Sequence, residues 1–200
     1  MRLRRLFIAL AALVAVSLPA SVAAQSMESA ILADLDAYWA GQAAALGIEY
    51  SPPAMALVEG EVSTSCGPVD PYILGPAAYC PLDSTIYVAP LWEQMYGPAE
   101  WITILAHEWA HHMQNLNGRT GYPTEESELQ ADCLAGAYVA DAEARGAAPA
   151  GTFQRGMGAS IRAGAPPFLP DGVDVHGTGA ERGTSYMDGY ARGAAVCGLS

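Results

Sequence analysis

Apolar residues recur at helical spacing between residues 29 and 46, where Ile31, Leu32, Leu35, Tyr38, Trp39, Ala43 and Leu46 share one side and Gly47 follows. This spacing predicts an amphipathic helix that ends near Gly47. From 54 to 90 the pattern shortens: "AMALVEGEV" and "STIYVAP" read as brief strands, parted by a Gly- and Pro-rich loop that carries Cys66 and Cys80. Only a small sheet follows from this. Residues 98 to 117 form the clearest helix, with Pro98 at its first position, Trp101, Ile102, Ile104, Leu105, Trp109, Met113 and Leu116 as its apolar mass, and Gly118 to end it. A further helix runs from Thr124, an N-cap followed by Glu125 and Glu126, to about Arg145 before Gly146. The connection "GRTGYP" is short, so these two helices are expected to be antiparallel neighbours. Residues 146 to 177 read as loops around at most one weak helix, and Thr178-Gly179-Ala180-Glu181 fits a capping box that opens a last one. The expected fold class is α+β, mainly helical, with a small antiparallel sheet.

Residues 1–24 read as an export signal. Arg2, Arg4 and Arg5 precede an apolar stretch from Leu6 to Leu18, and Val22-Ala23-Ala24 gives a small-residue cleavage site before Gln25. That stretch is short for a membrane span, which needs about 20 apolar residues. The expectation is a periplasmic or secreted protein whose residues 25–200 form one domain, an uncleaved anchor being the alternative. Removing the signal leaves six arginines against 21 acids, so the net charge moves from −12 to −15, and there is no lysine. Without clustered cations, nucleic acid is not an expected partner. Cys66, Cys80, Cys133 and Cys197 make an even set in an exported chain, where disulfides persist. Three pairings are possible; Cys66 with Cys80 and Cys133 with Cys197 is preferred because it joins sequence neighbours. Zinc ligation by these cysteines is disfavoured, as no C-x2-C spacing occurs.

The chemistry concentrates in "ILAHEWAHHMQ", residues 104–114, which holds three of the four histidines. At about 100° per residue, His107 and His111 lie about 40° apart on one helix face, so both imidazoles can reach one ion. Glu108 is displaced by one position, beside a metal rather than on it, where it can take a proton from water. This H-E-x-x-H arrangement needs a third protein ligand. The extended three-histidine form is excluded, because Gln114 and Asn117 stand where it requires Gly and His. Downstream, "ELQADCLAG" supplies Glu128 as the third ligand and Asp132, one turn later, to accept the N–H of a ligand histidine. His112 is rotated about 100° from His111 and reads as a surface or supporting residue rather than a ligand.

Taken in order, "CGP", "YCPLDSTIYV", "HEWAHHMQNLNG", "ELQADCLAG" and "HGTGAERGTSYMDGYARG" resemble the neutral zinc metallopeptidase family of bacteria across roughly residues 50 to 198. The resemblance implies a zincin-like fold and a zinc-dependent peptidase, with His107, His111 and Glu128 as Zn2+ ligands and Glu108 as the catalytic residue. The chain departs from the family pattern at Ala110, where Gly is usual, and at Gly179 and Glu181.

The expected activity is hydrolysis of peptide bonds in a peptide or protein substrate. His176 is the first candidate for a donor to the oxyanion, with Tyr186 and Tyr190 behind it, and "STIYVAP" is a candidate edge strand for holding substrate backbone. Two alternatives stay open: an exported zinc-binding envelope or assembly module without turnover, and a zinc hydrolase of another amide.

Overall fold

A computed structural model of the chain describes residues 20–93, 95–119, 121, 123–164 and 176–199, with side chains from residue 29 onward. The export segment therefore lies, up to residue 19, outside the described residues. Helix α1, Ala20–Leu46, already runs through the cleavage point expected before Gln25. Among the described residues, no helix is long and apolar enough to cross a membrane.

The core of the molecule is α3, Pro98–Leu116, which is buried on most sides. Pro98 opens it, and Glu100 turns back to accept a hydrogen bond from Gly97 N at 3.1 Å. Trp101, Ile102, Leu105, Trp109 and Met113 fill the interior around it. From α1, Ile31, Leu35, Trp39 and Ala43 form a buried row at intervals of four, packed into the same core. That helix is pinned by Asp34, which accepts from Tyr138 at 3.0 Å and from both Arg145 Nη atoms at 2.7 and 3.0 Å.

The sheet is small, as expected, but mixed rather than antiparallel. β1 (Ala54–Leu57) runs parallel to β5 (Thr85–Val88), and β4 (Ala77–Cys80) pairs antiparallel with the other side of β5. "STIYVAP" thus supplies the central strand of the order β1-β5-β4 and not an edge. β4 was hidden in the expected loop because "AAYC" is short and alanine-rich, a poor strand composition. A separate hairpin pairs β2 (Val62–Thr64) with β3 (Gly67–Val69), and a single turn, α2 (Pro71–Leu74), leads into β4. Both preferred disulfides are present: Cys66–Cys80 ties the hairpin turn to the end of β4, and Cys133–Cys197 ties helix α4 (Glu125–Arg145) to the 3-10 turn Ala194–Cys197.

Helix α4, Glu125–Arg145, begins as expected on Thr124, whose hydroxyl accepts from Ser127 N at 3.2 Å, and ends on left-handed Gly146. Its contacts with α3 pair His107 with Asp132, His111 with Glu128 and Gln114 with Ser127, so the two run antiparallel. The segment expected to be mostly loop holds a full helix, α5 (Thr152–Ala163). Gly156 and Gly158 weaken its helical signal, yet Gly156 is needed: a Cβ there would lie 2.2 Å from Thr103 Oγ1 and 2.4 Å from the Tyr186 hydroxyl. Helix α6, Gly179–Arg192, opens on the expected capping box, with Thr178 Oγ1 accepting from Glu181 N at 3.3 Å and Glu181 accepting from Thr178 N at 2.9 Å.

α6 lies along α4 with the backbones almost touching. A Cβ on Gly136 would stand 2.0 Å from Tyr186 O, and one on Gly189 would stand 1.7 Å from Cys133 O. Replacing Gly136 by Ala should therefore lower stability by about 1–3 kcal/mol or more. Gly41→Ala, on α1 with nothing within 4 Å of the added carbon, should instead raise it by up to about 1 kcal/mol. Urea denaturation of the two variants distinguishes them by sign.

Candidate metal centre

Three helices converge on one cluster. His107 and His111, one turn apart on α3, turn their Nε2 atoms toward each other at 3.1 Å. Glu128 of α4 reaches both, Oε2 lying 3.2 Å from His107 Nε2 and Oε1 3.3 Å from His111 Nε2. One donor atom from each of the three residues lies within 4.8 Å of the others. Glu108, 8% exposed, lines the same cavity without joining the cluster.

The outer nitrogens are held as well. His107 Nδ1 is 3.1 Å from Asp132 Oδ1, the role expected for Asp132. His111 Nδ1 is 2.9 Å from Gln114 Oε1. With each Nδ1 directed to an oxygen, the Nε2 atoms face inward. Asp132 is itself gripped by Arg182 of α6, through Nε to Oδ2 at 2.7 Å and Nη2 to Oδ1 at 3.0 Å. Asp132 is 1% exposed and Arg182 5%.

Such burial opposes every charge here, so partners decide the protonation. Burial disfavours a charged His107, but the Asp132 and Glu128 carboxylates outweigh it and hold the imidazole's pKa up to about 10. Burial likewise works against ionised Glu128 and Asp132, yet the two histidines hold Glu128, and His107 with Arg182 hold Asp132, below the usual carboxylate range. Any cation entering must displace the proton from His107, because a metal ligand has to be the neutral imidazole.

The model for a family described as "Putative neutral zinc metallopeptidase" matches residues 12–122, more than half of the chain. The chain belongs to this zinc metallopeptidase family. The matched stretch contains His107, Glu108 and His111 and stops before Glu128, Asp132 and Arg182. Among relatives, the uncharacterized protein Rv2575 of Mycobacterium tuberculosis is 36% identical over 108 residues, which is 45% of this chain and 36% of that protein. The uncharacterized protein Mb2605 of Mycobacterium bovis gives the same values. The uncharacterized protein YpfJ of Escherichia coli K12 is 26% identical over 200 residues, covering 85% of this chain and 69% of its own. The chain thus spans 36% of the length of the mycobacterial relatives it matches. No solved structure matches it.

The zinc that the family name implies suits these residues. Two imidazole nitrogens and a carboxylate are an ordinary zinc donor set. Charge agrees with this: among the described residues Arg182 is the cation paired with Asp132 beside Glu108 and Glu128, and a dication would balance these three carboxylates and one guanidinium.

The cavity of about 670 Å³ that the cluster lines is also lined by Leu74, Pro76, Ala77, Tyr79, Tyr96 and Ile104. His176, exposed, lies on its lining. Tyr186 and Tyr190 do not: the first is wholly buried with its hydroxyl 3.3 Å from Thr103 Oγ1, and the second donates to Glu143 at 2.7 Å. His112 is no ligand, and it is a core residue rather than a surface one. Its Nε2–H donates to Ser51 O at 2.7 Å, which leaves Nδ1 to accept from the Tyr79 hydroxyl at 2.9 Å, and Asn115 donates to that hydroxyl at 2.8 Å. This ties α3 to the sheet.

Arg182 and Gln114 were not singled out from the sequence as parts of the site. Both carried positional signals: Arg182 is one of six arginines outside the export segment, and Gln114 follows His111 by three residues, on the same helix face. Arg182→Gln should cost about 3–5 kcal/mol by leaving the buried Asp132 carboxylate without its cation. Adding Asp132→Asn should regain at least half of that loss in urea denaturation, and a single variant within about 1 kcal/mol of wild type would contradict the assignment.

Proposed function

We propose that this chain is an exported, zinc-dependent peptidase of zincin-like architecture, with residues 25–200 acting as one catalytic domain. The observation that carries this reading is the position of Glu108: a carboxylate beside a two-histidine, one-glutamate cluster, on the lining of the same cavity of about 670 Å³. A purely structural zinc site closes its fourth position with protein and has no use for such a base. Two disulfides agree with an oxidising compartment.

His107, His111 and Glu128 would hold the ion. Zinc, when bound, would polarise the scissile carbonyl and acidify the attacking water. Glu108 takes the water's proton on a carboxylate oxygen and returns it to the leaving amine nitrogen. His176, at the cavity lining, donates to the carbonyl oxygen as it becomes negative. β4 is an edge strand, and residues 76–79 and Pro81 border the cavity, so an extended substrate can add to β4 through its backbone, in place of the "STIYVAP" strand that is enclosed on both sides. The neighbouring wall of Leu74, Tyr96 and Ile104 accepts an apolar side chain.

The test is turnover of a mixed peptide library by the purified chain. Glu108→Gln should retain one zinc per chain and lose about 100-fold or more in kcat. A wild type that binds zinc but cleaves nothing beyond what Glu108→Gln cleaves would leave a non-hydrolytic zinc module as the answer, while cleavage restricted to non-peptide amides would change the substrate class.

A further inference from the structure

Gln114 and Gln130 are both buried, at 3% and 8% exposure, and every polar atom of the two amides has a partner. Gln114 Nε2 donates to Ser127 O at 2.7 Å and to Gln130 Oε1 at 3.0 Å, which uses both of its N–H groups. Its oxygen is thereby left for His111 Nδ1 at 2.9 Å. Gln130, having accepted from Gln114, donates through Nε2 to Cys197 O and Gly198 O, each at 2.8 Å. Rotating the Gln130 amide would set its oxygen against those two carbonyl oxygens and its NH2 against that of Gln114. Rotating Gln114 would do the same against Ser127 O. Neither buried amide can be reversed without losing these hydrogen bonds, so the chain of donors has one direction.

We propose that Gln114 and Gln130 are positioning residues for the metal centre, and that they fix ligand His111 by anchoring it to the turn that the Cys133–Cys197 disulfide holds. Because carbonyls 197 and 198 accept, Gln130 must donate toward them; Gln114 must then donate toward Gln130 and accept from His111. His111 therefore carries its proton on Nδ1 and offers Nε2 to the ion. The two histidine ligands are consequently supported in different ways. His107 leans on the Asp132 carboxylate, a charged acceptor backed by Arg182, whereas His111 leans on a neutral amide whose orientation is set two residues away, outside the cavity lining. A charged acceptor makes its imidazole a stronger donor to a metal, so His111 is the weaker of the two and more dependent on correct aim.

The inference rests on the zinc-site reading, and its test is zinc affinity measured by competition with a chromophoric chelator, beside the melting temperature of the metal-free protein. Gln114→Leu should weaken zinc binding about 10- to 100-fold. Gln130→Leu, which touches no ligand, should weaken it by a smaller factor. The double variant should bind no more weakly than Gln114→Leu alone, because Gln130 acts through Gln114; independent structural damage would multiply the two losses. Nitrogen NMR of the zinc form should report a proton on His111 Nδ1. Should Gln114→Leu not fold, Gln130→Leu together with the NMR assignment carries the test. Unchanged affinity in the variants, or multiplied losses in the double, overturns this inference while leaving the zinc site intact. A wild type that binds no zinc overturns both.

Discussion

Asp132 brings a full negative charge to 1% exposure, where an unpaired carboxylate would be costly, and it is tolerated because α3 supplies an imidazole to one side and α6 a guanidinium to the other. The rest of the architecture can be read from that requirement. Arg182 reaches Asp132 only if α6 lies very close to α4, and the glycines at 136 and 189 make that approach possible. His107 reaches it only if α3 lies antiparallel to α4, and this same alignment delivers Glu128 to both histidines. The helical half of the molecule is thus arranged around one buried carboxylate, and the cluster of His107, His111 and Glu128 is a consequence of that arrangement.

Much of this was legible in the sequence. The helices at 98–116, 125–145 and 179–192 were marked by Pro98, Thr124 and Thr178 at their starts, and Gly118 and Gly146 follow the ends of the first two. His107, His111 and Glu128 stood out as candidate ligands because such a set must combine a donor type with a helical interval. Their assembly into one cluster was less evident, since it needed only the short connection to force an antiparallel pair. What escaped notice has a common cause. β4 and α5 lack strong propensity and are kept by tertiary contact, β4 by pairing with β5 and α5 by the close seat of Gly156 on Thr103. Arg182 acts on a residue 50 positions away, and the partners that aim Gln114 at His111 lie 13 and 16 positions away, so local spacing marked Gln114 only through its i, i+3 relation to His111. "STIYVAP" was correctly a strand, but its place between β1 and β4 depends on pairing order, which periodicity does not contain.

The family match and the structure divide the site unevenly. The matched stretch ends at residue 122, just before α4, so it covers the helix that carries His107, Glu108 and His111 but not the helix that closes the cluster. Geometry supplies the missing half: Glu128 sits within 3.3 Å of both imidazoles, and the uncharacterized relatives add sequence similarity without adding chemistry.

The Cys66–Cys80 bridge alters the path the chain must close to complete its sheet. β1 ends at Leu57 and its parallel partner begins at Thr85, so in the reduced chain that pairing closes a long loop. With the bridge formed, a covalent shortcut removes a span of 14 from the route, roughly halving it. Loop entropy changes by only about 0.6 kcal/mol for each factor of two in length, a minor part of the roughly 3 kcal/mol that such a cross-link can contribute. The bridge is therefore of little help in bringing β1 to β5. Its weight falls on the β2–β3 hairpin, which it joins to the end of β4, so that the strand bordering the cavity carries a covalently attached brace at Cys80.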